Sequence, residues 1–178
     1  MKLTDVISRV RDIAGDRDAL QFSDPQVVNW INDGVVECAL ANDLLQKRAS
    51  SFTGDGQSDY LIPTDILKLH TVRYDGVKLK ALSLEEVDKY FPESVEGTEE
   101  GKPSYYYIWA GNLTLKPVPN EVKTLVLDYI FVPPVLSGDN LDVELPLPVG
   151  YHGRIVDYCL AQVAQQDDDI ERYNAKME

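Results

Sequence analysis

The sequence predicts an α+β fold: a helical bundle built from N-terminal helices and a long C-terminal helix, interrupted by an antiparallel β-rich insertion. Three observations predict it. Apolar residues recur at helical spacing over residues 5–48 and again from about 148 onward. Between these stretches the apolar period falls to 2, the signature of half-buried strands. Residues 104–134, SYYYIWAGNLTLKPVPNEVKTLVLDYIFVPP, read as a hairpin, a Pro-x-Pro corner and a long strand stopped by two prolines. The division that follows is 1–49 with 147–178 for the bundle and 50–146 for the insertion, as a single structural unit.

The first helix is predicted over 5–14, with Thr4 as cap, Val6, Ile7, Val10 and Ile13 as its stripe, and Gly15 ending it left-handed. The second opens on Phe22-Ser23-Asp24-Pro25-Gln26-Val27. Ser23 and Gln26 form a capping box, Phe22 and Val27 a hydrophobic staple, and Pro25 is tolerated in the first turn. Val27, Ile31, Val35, Cys38 and Leu45 carry one face to about Arg48. Gly34 inside that helix costs about 1 kcal/mol relative to alanine, which a close helix crossing would explain.

From Ala49 the strands begin. Ser51–Thr53 and Tyr60–Ile62 flank a GDGQSD turn, and 67–74 alternate in and out. Asp75-Gly76 is a two-residue hairpin signal, followed by a strand over Val77–Leu82. Ser83 and Glu86 form another capping box, opening a short helix to about Phe91. Residues 92–103, PESVEGTEEGKP, have no core pattern and read as an exposed, mobile acidic loop. The hairpin turns at Ala110-Gly111-Asn112, with Tyr105, Tyr107 and Trp109 on one face and Tyr106 and Ile108 on the other. The strand Leu125–Val132 is largely apolar on both faces and should lie centrally or between two layers. Leu145-Pro146-Leu147-Pro148 leads into the last helix, whose stripe is His152, Ile155, Val156, Cys159, Leu160 and Val163. Asp167–Asp169 weakens it, and the tail beyond is expected to stay frayed until a partner covers it.

Composition narrows the function. The chain has 178 residues and a formal charge of −13: −2 over 1–49, −8 over 50–148 and −3 over 149–178. Phosphate binding needs clustered Lys and Arg, and Lys47-Arg48 is the single adjacent basic pair, so tight nucleic-acid binding is not expected. No apolar run reaches the roughly 20 residues of a membrane span, and Asp5 and Arg9 fall where a signal peptide needs an apolar core. Cys38 and Cys159 read as reduced core residues, with a metal pair or disulfide as the other readings.

Catalytic chemistry finds no foothold. Asp55, Gln57 and Asp59 alternate as in a calcium loop, but Ile66 stands where the closing glutamate belongs. Neither His70 nor His152 lies in a nucleophile motif, and no phosphate-binding glycine loop occurs. The aromatic run 105–109 lacks the interleaved Arg and Lys of a base-stacking platform, so sheet core on one face and interface on the other is the reading. No cofactor or metal is expected.

The order of parts resembles a known family. FSDPQVVNWINDGVVE opens the helix, YYIWAGNLTLKPVP makes the hairpin, LDYIFVPPVL the strand, and LPLPVGYHGRIVDYCLA enters the last helix. Together these are similar to the tailed-bacteriophage head-to-tail adaptor family, which includes the tail tubular A proteins. The resemblance implies a non-enzymatic virion protein of the neck, assembled in the host cytoplasm. It implies a ring, usually a dodecamer, beneath the portal protein, joining capsid to tail, with DNA only passing through the lumen and no membrane partner. Tyr107, Trp109, Leu113, Leu115, Pro117 and Pro119 match the hairpin motif, and Leu147, Pro148, Tyr151, His152 and Tyr158 the helix entry. Residues 165–178 match the portal-reaching tail, which makes Gln165, Asp168, Ile170, Tyr173 and Met177 the candidate portal contacts. Tyr105, Tyr107, Trp109, Leu113 and Leu115 are the candidate subunit or tail interface. The loop 92–103 matches no motif of the family. The rival reading is a small soluble enzyme or ligand-binding module with a pocket between helix and sheet.

Overall fold

The computed structural model describes residues 1–92 and 99–166. It is an α+β fold with helices α1 (Leu3–Ala14), α2 (Asp24–Ala41), α3 (Leu84–Tyr90) and α4 (His152–Gln166). The strands are β1 (Gln46–Phe52), β2 (Asp59–Leu61), β3 (Ile66–Tyr74), β4 (Val77–Lys78), β5 (Lys80–Ala81), β6 (Glu100–Gly101), β7 (Tyr105–Trp109), β8 (Asn112–Lys116), β9 (Val118–Pro119) and β10 (Thr124–Phe131). Packing divides the chain into one unit of Met1–Leu45 with Val132–Glu178 and a second of Gln46–Phe131. Residues 132–146, expected with the insertion, therefore fall in the helical unit.

In that unit, α1, α2 and α4 bury one apolar core that includes Leu3, Val6, Val10, Val27, Ile31, Val35, Ile155, Cys159 and Leu160. Leu136, Leu145 and Leu147 join it, which is why 132–146 belongs here. The Asn32 side chain fixes this segment by donating to the Leu136 carbonyl (3.0 Å) and accepting from its N–H (2.8 Å). The α1 helix starts two residues before the expected Asp5. Lys2 takes the cap position and its N–H donates to Asp5 Oδ2 (2.9 Å), leaving Thr4 inside the first turn. Gly15 ends α1 at φ 81°, as its lack of a Cβ allows.

Two expectations for α2 need correction. The Ser23 side chain makes no cap hydrogen bond, so the Ser23–Gln26 box is not formed. The helix also stops at Ala41 rather than near Arg48. Asp43 and Leu45 take positive φ (49° and 57°), which no α-helix accommodates, and from Gln46 the backbone hydrogen-bonds to β10 instead. The described part of α4 is 15 residues long, and 167–178 lie outside the described residues.

Arg11, 7% exposed, joins α1 to the start of α2. It donates to Asp16 Oδ2 (2.7 Å), the Phe22 carbonyl (2.8 Å) and Asp24 Oδ1 (2.6 Å). Asp16, itself buried, also accepts the backbone N–H groups of Leu20, Gln21 and Phe22. Those N–H groups, Gln21 first, hold its carboxyl below the ordinary 3.8, with Arg11 adding to them.

The second unit packs two sheets face to face, in orders β1-β10-β3-β4 and β2-β8-β7-β5, with a small parallel pair β6-β9. Val72, Tyr74, Leu79, Leu113, Leu115, Leu125, Leu127 and Tyr129 form its core. As expected, β10 is central, between β1 and β3. The Asp75-Gly76 turn has both residues at positive φ (48° and 76°), matching the twist of its strands. The capping box at α3 is formed: Glu86 N–H donates to Ser83 Oγ (3.3 Å) and Ser83 N–H to Glu86 Oε2 (2.8 Å). The strand predicted over 77–82 is instead two. Leu79 turns into the core and its N–H reaches Val72, sending β4 to one sheet and β5 to the other. Likewise β1 and β2 do not pair across the GDGQSD turn but join different sheets. Of the acidic loop 92–103, residues 93–98 lie outside the described residues.

Two outcomes follow. A Cβ on Gly34 would lie 2.9 Å from Tyr158 Cδ1, where α2 meets α4. Gly34→Ala should therefore lower stability by about 1 kcal/mol, the overpacking exceeding the gain in helix propensity. In a Tyr158→Leu background thermal melts should show that loss vanish. For Asp16 the folded pKa is depressed, so its contribution is present above the ordinary carboxylate value and is lost as pH falls through the folded one. Denaturant titrations should give Asp16→Asn a deficit at pH 7 that shrinks below about pH 4.

Candidate functional site

The β7–β8 hairpin and the neighbouring β2 build an exposed apolar surface on the second unit. Ala110 and Gly111 at φ 48° and 79° form its two-residue turn, which fixes Trp109 opposite Asn112. On the other side of Asn112 stands Leu61 of β2. Residues directly opposite share a face, so Leu61, Asn112 and Trp109 form one row across three strands. Leu61 is 86% and Trp109 62% exposed. Tyr107 and Tyr105 continue that face along β7, half-buried, and Phe91 sets its ring edge-on against Tyr105 at 6.0 Å.

The predicted interface set thus divides. Tyr105, Tyr107 and Trp109 lie on the outer face, but Leu113 and Leu115 are buried in the core between the sheets. The alternation of β8 is the reason: Leu113 and Leu115 lie opposite Ile108 and Tyr106, on the inner side. Leu61 was missed on sequence. Its signal is the register of β2, which alternation over three residues does not set.

Of the predicted tail contacts, Gln165 is exposed at the end of α4, while Asp168, Ile170, Tyr173 and Met177 lie outside the described residues. His152 is buried: Nε2 donates to the Leu147 carbonyl (2.8 Å), leaving Nδ1 to accept from the Met1 amino nitrogen (2.8 Å). Both cysteines are free thiols. Burial pushes Cys159 up to about 12 and raises the half-buried Cys38 as well, so neither favours a thiolate.

Between α2 and α4 runs an open groove of about 450 Å³, lined by Gly34, Glu37, Cys38, Tyr151, Arg154 and Tyr158. Among the described residues no group of three or more His, Cys, Asp and Glu side chains is placed to hold a metal. No helix among them is long and apolar enough to cross a membrane.

The geometry defines a class: an α+β protein in which a two-sheet unit, carrying an exposed aromatic hairpin, is inserted between helical segments. The chain belongs to the SU10 adaptor protein family, a family of phage head-to-tail adaptors, whose model matches residues 1–178. It is thus a phage structural adaptor and a virion component. No curated protein matches the chain.

The exposed and buried members of the hairpin should separate in thermal or denaturant unfolding. Trp109→Ala is expected to change stability by less than about 0.5 kcal/mol. Leu115→Ala should cost about 2–5 kcal/mol, because it opens a cavity between the sheets.

Proposed function

We propose that this adaptor forms a ring, dodecameric as the family resemblance implies, beneath the portal, joining the capsid to the tail. The observation that carries the reading is the exposed row Leu61–Trp109, on a chain of the adaptor family. An apolar, aromatic surface held on a rigid two-residue turn suits contact with a neighbouring protein, because aromatic residues are enriched at interface centres. In this reading the helical units, Met1–Leu45 with Val132–Glu178, pack side by side as a bundle. The insertion meets neighbouring copies and the next tail or neck protein through Tyr105, Tyr107 and Trp109. The segment from Gln165 onward, with Asp168, Ile170, Tyr173 and Met177, reaches the portal.

A formal charge of −13 supports passage of DNA through the lumen without adhesion, since the net field repels phosphate. The protein acts without catalysis or cofactor, and assembly takes place in the host cytoplasm.

The test is co-sedimentation and electron microscopy of the full chain with its portal protein. Wild type should decorate the portal as a ring. A chain lacking residues 165–178 should lose portal attachment while keeping its circular dichroism and melting temperature. Undiminished attachment would overturn the tail assignment, and absence of any ring on the portal would overturn the ring.

A further inference from the structure

The outer face of the sheet β1-β10-β3-β4 is cationic in a chain that is otherwise acidic. Leu125, Leu127 and Tyr129 face the core, so Val126, Asp128 and their partners face outward, whereas Ile130 near the end of β10 is fully buried. The register places Arg48 opposite Asp128, Arg73 opposite Val126 and Lys78 opposite Arg73. This face thus carries Arg48, Arg73 and Lys78 against one carboxylate, Asp128. Over 46–131 as a whole there are ten Lys/Arg against thirteen Asp/Glu. Asp128 is already engaged: Arg48 Nε and Nη2 both donate to it, and Arg73 Nε lies 3.8 Å away. The Arg48 hydrogen bond is the first cause of its depressed pKa.

Arg73 and Lys78 are like charges directly opposite on one face, and Asp128, which Arg48 already engages, offsets them only in part. The helical unit offers the complement. Described residues of that unit hold five Lys/Arg against twelve Asp/Glu. On α2, Asp33 and Glu37 are both exposed and stand one turn apart, a like-charge i,i+4 pair that is also unfavourable alone. Two like-charge pairs of opposite sign, on different units, are each relieved if they meet across a contact between copies.

We infer that the outer face of β1-β10-β3-β4 docks a second copy of this chain, Arg73 and Lys78 of one copy receiving Asp33 and Glu37 of the next. Such a contact joins different surfaces on the two copies, so it is heterologous and propagates into a ring or filament. The inference rests on the proposed ring and names the surfaces that close it. A pair of rim charges adds modestly to affinity and more to register and encounter rate, so the contact should be salt-sensitive.

The experiment is sedimentation velocity of the full chain, over a range of concentrations in low and high salt, with duplex DNA as a separate probe. Arg73→Gln with Lys78→Glu should weaken self-association about tenfold, and Asp33→Lys with Glu37→Lys should do the same. Mixing the two variants should restore it, a recovery that a folding defect could not give. If wild type associates and neither variant changes it, this surface assignment falls while the ring stands. Absence of wild-type association, alone and on the portal, overturns both. Duplex DNA binding that is lost in Arg73→Gln/Lys78→Glu, with self-association unchanged, assigns the face to nucleic acid and overturns the inference.

Discussion

The pairing of β1 with β10 is the constraint on which the insertion depends. The chain enters the second unit at Gln46 and leaves it at Phe131, and these ends lie side by side because Gln46–Phe52 pairs antiparallel with Thr124–Ile130. Side chains alternate with a period of 2, so a slip of one residue would turn Leu125, Leu127 and Tyr129 outward and bury Asp128. Both errors are costly, so the register is strongly specified. Arg48 adds a check on the outer face, since it meets Asp128 in the correct register alone. The exposed ion pair contributes little energy by itself. Its value lies in discriminating one pairing from the next.

In the helical unit the corresponding element is Arg11. A guanidinium with five donors can serve four acceptors on three residues at once, which a lysine could not do with the same geometry. Asp16 gathers the N–H groups of 20–22, so the turn between α1 and α2 is organised from both its charged partners. This explains why α2 needs no Ser23 side-chain cap. Asp24 in its first turn is held by Arg11, and the acidic residue there suits the positive end of the helix dipole.

Much of this architecture was legible from the residues. The Asp75-Gly76 turn requires positive φ at both residues, which Asp and Gly tolerate, so the sequence names it locally. The Ser83–Glu86 box is likewise local, as is the central position of β10, which follows from its two apolar faces. What was not legible depended on distant partners. The α2 stripe continues past Ala41 in sequence, yet Gln46 pairs with Ile130, over eighty residues away. Leu79 splits a plausible strand because the core wants its side chain and Val72 its N–H. For the candidate surface, the aromatic face of β7 was readable, whereas the burial of Leu113 and Leu115 and the exposure of Leu61 rest on which sheet lies beneath.

The placement of the two cores explains how such a surface can exist. Each unit buries its own apolar cluster, one among α1, α2 and α4 and the other between two sheets. Trp109 and Leu61 are therefore not needed to complete either core, and their exposure is not the residue of poor packing. A large apolar side chain left in water at a tight, ordered turn gains most when another surface covers it. The exposed apolar tip of the hairpin is thus a surface set aside for contact rather than for either core. An adaptor is held by faces that bury area and set register, and the row Leu61–Trp109 offers both.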